Sequence, residues 1–213
     1  MDTEKLIAAL AADARPVHLL SPPATRLGRW LLVAVPFVAA GSLAFGLRDD
    51  LGAAVVDPRF AVTGVLALAT ALAAGAAALV LAVPGAERTP AGRWLPVALV
   101  AAWSVAMLAL LANQQFVMAG SLAWPWSICI AKVVALAAPP AYALFRMVRR
   151  AAPLELGWAA GLSAVAALAF GALGVQFVCP NWHAGHLLLT HYAPVVVLGA
   201  LAALTGRRWL EWR

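Results

Sequence analysis

From Trp94 through Ala131 the chain carries no charged side chain and is mostly apolar. A water-soluble domain cannot wrap so long an uncharged stretch in polar surface. A bilayer can hold it, because about 20 apolar residues in helical form cross the hydrocarbon core with every backbone polar group satisfied internally. The stretch is too long for one crossing, and the polar Asn113-Gln114-Gln115 cluster divides it into two. Composition agrees: of 213 residues 64% are hydrophobic and 11% charged, against roughly 45–50% and 25% in soluble domains. Six crossings are predicted, at about Trp30–Leu47, Phe60–Val83, Trp94–Ala112, Leu122–Phe145, Leu156–Val178 and His186–Thr205. The expected fold class is an all-α integral membrane protein, a bundle of six transmembrane helices preceded by a short amphipathic helix.

Residues 1–29 form a polar head in which Asp2 or Thr3 can cap a short helix and Glu4 lies in its first turn. Leu6, Ile7, Leu10 and Ala14 share one face, and Pro16 ends the helix. Ser21-Pro22-Pro23 follows as an extended linker. The first long apolar run begins only at Trp30, which is not the layout of a cleavable signal peptide. The transmembrane domain then occupies 30–206, and a basic tail 207–213.

The net charge of +6 reports topology rather than a nucleic-acid partner, because the basic residues flank the apolar runs. One side of the expected bundle holds Lys5, Arg15, Arg26, Arg29, Arg88, Arg93, Arg146, Arg149, Arg150, Arg207, Arg208 and Arg213; the other holds only Arg48 and Arg59. By the positive-inside rule both termini are expected in the cytoplasm. Trp30, Trp94, Trp124, Trp126, Trp158 and Trp209 fall near expected span ends, as an aromatic belt does.

Chemistry gathers on the side away from the termini. Cys129 lies near the outer end of the fourth span and Cys179 just beyond the fifth, with His183, His186 and His191 following. Thiolate and imidazole are the donors that Zn²⁺ and other soft or borderline divalent ions prefer, so Cys129, Cys179, His183 and His186 form a candidate metal set. In an α-helix His191 stands five residues from His186 and off its face, which makes it the weaker candidate. A Cys129–Cys179 disulfide in an oxidising compartment, or two plainly packed thiols, satisfies the same residues. Lys132, charged and within the fourth span, stands on the Cys129 face, where it either favours a thiolate or snorkels outward. No phosphate-binding glycine loop, paired intramembrane carboxylates or Ser-His-Asp order is present, so no enzyme is expected.

Several short stretches, taken in order, carry a resemblance. They are Leu6-Ile7-Ala8-Ala9-Leu10 with Asp13, Pro16-Val17 and Pro22-Pro23; Phe45-Gly46-Leu47-Arg48; Asp57-Pro58-Arg59-Phe60; Val83-Pro84-Gly85; Arg149-Arg150-Ala151-Ala152-Pro153-Leu154; and Cys179-Pro180 with His186-Leu187-Leu188-Leu189 and His191. In these the chain resembles the NrsF family, polytopic anti-sigma factors of bacterial inner membranes. The resemblance implies a protein that holds an extracytoplasmic-function sigma factor inactive at the membrane, with Leu6, Ile7, Leu10 and Asp13 in the segment that binds it. It further implies that Cys129 and Cys179 match a cysteine pair tied to sensing of heavy-metal stress; His183 has no clear counterpart. A small transporter or exporter, with metal ions as one class of cargo, is the rival reading, but it calls for polar midplane residues where this chain is nearly all apolar apart from Lys132. A haem-based redox enzyme needs histidines at matched facing positions, which the chain lacks.

Overall fold

A computed structural model describes residues 2–13, 20–85, 91–113 and 126–210. Among these residues every regular element is helical. Helix α1 covers Thr3–Ala12, α2 Pro23–Ala44, α3 Leu51–Ala54, α4 Pro58–Leu81, α5 Ala91–Asn113, α6 Trp126–Arg149 and α7 Leu156–Gln176. The last crossing is composite: α8 (Ala184–His186) leads into a π-helical stretch, Leu187–Tyr192, and then α9 (Ala193–Leu210). Among the described residues six helices are long and apolar enough to cross a membrane, and the protein is an all-α integral membrane bundle. Six crossings bring the start of α2 and the end of α9 to one end, here the near end; the turn after α2 and the turn after α7 lie at the far end.

Local chemistry sets the helix starts. The Asp57 carboxylate accepts from the Arg59 N–H at 2.8 Å, and Pro58 occupies the first turn of α4. In the head, Asp2 caps α1 by accepting from the Glu4 N–H at 3.3 Å. The expected linker at Ser21-Pro22-Pro23 ends one residue early, because Pro23 already opens α2. A proline's fixed φ suits the first helical position, where its missing N–H costs nothing. Helix α2 therefore starts seven residues before the apolar run, and carries Arg26 and Arg29 within its first two turns. That displacement corrects the placement of Trp30: the indole is 0% exposed, inside the bundle rather than in an interfacial belt. Trp94 and Trp209 are exposed, and Trp158 is half-buried. Ala14, Arg15, Pro16, Gln114, Gln115, Leu122, Trp124 and residues 211–213 lie outside the described residues.

Helix α7 is the axis of the bundle. Of its span 78% is buried, against 17% for α5, and α4, α6 and α9 all pack on it. An apolar helix gains nothing from hydrophobic contrast inside lipid, so close packing has to hold it, and small residues permit that. A Cβ added to Gly161 would stand 2.8 Å from the Ala203 Cβ of α9, and one added to Gly171 would stand 2.5 Å from the Val133 carbonyl of α6. Trp30 locks α2 to the same assembly. Its Nε1–H donates to the Pro140 carbonyl at 2.9 Å, and its ring meets Phe170 edge-on at 5.8 Å.

Candidate functional site

The far end is built from three elements. Cys129 sits in the first turn of α6 and faces inward. Cys179 lies three residues past the end of α7; its N–H still donates to the Val175 carbonyl at 2.8 Å, and Pro180, which has no N–H, follows. The third element is the π-helical stretch. Pro194 has no N–H to return to the Thr190 carbonyl, and its ring crowds that oxygen. The Thr190 hydroxyl meanwhile donates to the His186 carbonyl at 2.8 Å, competing for the α-helical ladder. The backbone opens to i→i+5 pairing, and the Ala193 N–H donates to the Leu188 carbonyl.

That register decides which histidines meet the thiols. With i→i+5 pairing, residues five apart stack on one face, and His186 and His191 bring their ring centroids to 5.8 Å. The sulfurs of Cys129 and Cys179 are 3.7 Å apart, and the Cys179 sulfur is 3.3 Å from His186 Nε2. One donor atom from each of Cys129, Cys179, His186 and His191 falls within 4.8 Å of the other three. All four residues are buried, at 3%, 4%, 1% and 6% exposure. His186 Nδ1 and His191 Nε2 have no hydrogen-bond partner, although both are buried. Beside His191 lies a cavity of about 20 Å³, lined also by Gln176 and Trp103.

His183 stands apart from this group. It precedes α8, is exposed, and its backbone N–H donates to Asn181 Oδ1 at 3.0 Å. The fourth member of the set is therefore His191 in place of His183, because the helix is π-wound where an α-helix was expected. Lys132 is half-buried and directs its ammonium to the face of Phe45, 5.5 Å from the ring centroid, rather than into the cluster.

A buried arginine ties the Cys179 turn to the turn after α2. The Arg48 guanidinium donates to both Asp50 carboxylate oxygens at 2.6 and 2.7 Å, reaches the Pro180 carbonyl at 3.4 Å and lies 4.2 Å over the Trp182 ring. Its backbone N–H donates to the Phe177 carbonyl at 3.0 Å. Those hydrogen bonds from Arg48 hold the Asp50 carboxyl below its ordinary pKa. In the sequence Arg48 is a charge on the sparse side and the last residue of one resembling stretch; its contacts depend on two turns meeting in space. The legible signal for His191 was the Thr190…Pro194 pairing, which marks where an α-helix cannot continue unchanged.

The near end carries a different arrangement. Arg26 is 4% exposed and donates to the Leu79 carbonyl at 3.2 Å and the Met147 carbonyl at 2.8 Å. It thereby caps the C-terminal turns of α4 and α6, where the helix dipoles favour a cation. In the head, α1 has no buried residue; Leu6, Ile7 and Leu10 are exposed, and Asp13 ends the helix with its N–H on the Ala9 and Ala11 carbonyls.

Comparison with curated proteins and with solved structures gives no significant match. The family described as NrsF, negative regulator of sigma F, matches residues 10–212, from the end of the head helix through the last crossing, and the chain belongs to that family.

Proposed function

We propose that the chain is an anti-sigma factor of the bacterial inner membrane that sequesters an extracytoplasmic-function sigma factor and releases it on a heavy-metal or thiol signal at the opposite face. In this reading the termini and the near end are cytoplasmic, which the arginine bias of the sequence supports, and the far-end thiols face the periplasm. One observation carries the reading: a regulator of sigma factors pairs a head helix, α1, that has no buried residue among those described with a buried Cys/His cluster at the far end. Leu6, Ile7, Leu10 and Asp13 engage the sigma factor by ordering on it, which lowers affinity and makes release easy.

A signal must bind one conformation of the bundle better than another. Moving a population from 1:99 to 99:1 takes about 5.5 kcal/mol of differential affinity, and cysteine and histidine ligands offer about 10–16 kcal/mol to zinc in small peptides. Helix α6 spans the distance, with Cys129 in its first turn and Met147, bound by Arg26 of α2, in its last. Deletion of residues 1–15 should raise sigma-dependent transcription, and unchanged transcription would remove the head from the mechanism. Cys129→Ser with Cys179→Ser should keep repression but lose inducibility; a double variant that still responds would remove the thiols.

A further inference from the structure

We propose that Cys129, Cys179, His186 and His191 form a closed four-ligand site for a divalent ion of filled d shell, Zn²⁺ or Cd²⁺, with the fourth ligand delivered by the π-helical register of residues 187–192. This deepens the function proposed above by naming the signal's chemistry, and rests on that function only for its regulatory consequence.

The separations fit the ion. A tetrahedral Zn²⁺ with sulfur at about 2.3 Å and nitrogen at about 2.0 Å sets two sulfurs about 3.8 Å apart, and sulfur from nitrogen about 3.5 Å. The side chains stand at 3.7 Å for sulfur to sulfur and 3.3 Å for sulfur to nitrogen. The donor set is two sulfurs and two imidazoles with no carboxylate in the group. That composition favours zinc-like ions and disfavours Mg²⁺ and Ca²⁺, which take oxygen. Four protein donors close a tetrahedron and leave no position for substrate, so the site holds its ion rather than working on something bound to it.

The donors come from three elements: α6, the turn after α7, and the π-helical stretch. An ion here joins the first turn of α6 to the last crossing. Winding the stretch as an α-helix would swing His191 off the face of His186 and leave three ligands. The unpaired buried nitrogens belong to the same view: His186 turns Nε2 to the Cys179 sulfur and leaves Nδ1 for an outer partner, and His191 brings one donor atom within 4.8 Å of the other three while its Nε2 has no hydrogen-bond partner. The cavity of about 20 Å³ beside His191 has room for about one water.

The test uses the full chain, tag-free and reduced in detergent, stripped by a chelator and titrated with Co²⁺ and then Zn²⁺. One Co²⁺ per chain is expected, with the visible bands of a tetrahedral ion and a near-ultraviolet sulfur-to-cobalt band, both abolished by Zn²⁺. His191→Ala should weaken Zn²⁺ by at least about hundredfold, whereas His183→Ala should leave it unchanged. Since His191 is buried, His191→Cys is measured beside it: it keeps a donor and should retain the ion with a stronger sulfur band. Pro194→Ala, which keeps all four ligands but restores an α-helical donor, should weaken binding by about tenfold. Absence of the cobalt bands, or equal affinity in wild type and in Cys129→Ser with Cys179→Ser, would overturn the site, as would a loss in His183→Ala matching that in His191→Ala. Sigma-factor retention is read separately. Full metal binding with retention unaffected leaves the site standing and removes the switch; retention without metal binding removes the site alone.

Discussion

Cys129 and Cys179, fifty positions apart in the chain, bring their sulfurs to 3.7 Å because one opens α6 and the other follows α7, two helices packed along their length. The pairing depends on small residues well away from the thiols. Gly171, about two turns before Cys179, lets α7 approach the Val133 carbonyl of α6, about one turn past Cys129.

Gly171→Val should therefore lower stability in detergent by about 1–3 kcal/mol, as overpacking does elsewhere. It should also weaken any function that needs both cysteines. Equilibrium unfolding followed by tryptophan fluorescence reads the first effect. An unchanged unfolding midpoint would mean that the close α6–α7 contact is not maintained.

Arg26 offers a second test at the other end of the bundle. Removing its guanidinium leaves the Leu79 and Met147 carbonyls without that partner in a membrane-embedded setting. Arg26→Leu should cost about 1.5–3 kcal/mol, the range for hydrogen bonds to charged groups. Arg26→Lys, a single point charge in place of a planar fork, should recover part of it. Unfolding experiments on the two variants check the order.

The crossings were legible in the sequence because apolar runs are a one-dimensional signal. The first boundary was not, since Pro22-Pro23 looks like a linker until Pro23 is seen to start a helix. The cluster was half legible. Cysteine and histidine identity pointed to the far end, but choosing between His183 and His191 required the helical register, and periodicity arguments assume 3.6 residues per turn. Thr190 and Pro194 shift that register locally. Arg48 was illegible for another reason: its partners Asp50, Pro180 and Trp182 span two turns that only folding brings together.

The Arg48–Asp50 pair gives a pH prediction. The folded Asp50 carboxyl titrates below its ordinary value because Arg48 donates hydrogen bonds to the charged form. Its contribution is complete above the unfolded carboxyl's pKa, about 3.9, and is lost as pH falls through the lower folded value. Asp50→Asn should flatten the acid limb of the stability profile while changing neutral stability less than Arg48→Ala. A wild-type profile with the same acid limb as Asp50→Asn would contradict the pairing.

Sidedness can be checked without any partner. Labelling single-cysteine variants in intact cells with an impermeant thiol reagent should modify a cysteine placed at exposed Val56, near the far end, and spare one at exposed Leu10. The reverse pattern would turn the bundle over and leave the thiols facing the cytoplasm.

The most direct test is co-purification. Intact protein extracted in mild detergent from cells carrying its own sigma factors should retain one of them at close to one per chain, and protein lacking residues 1–15 should retain none. Purification of the intact protein with no sigma factor bound would contradict the account at its centre.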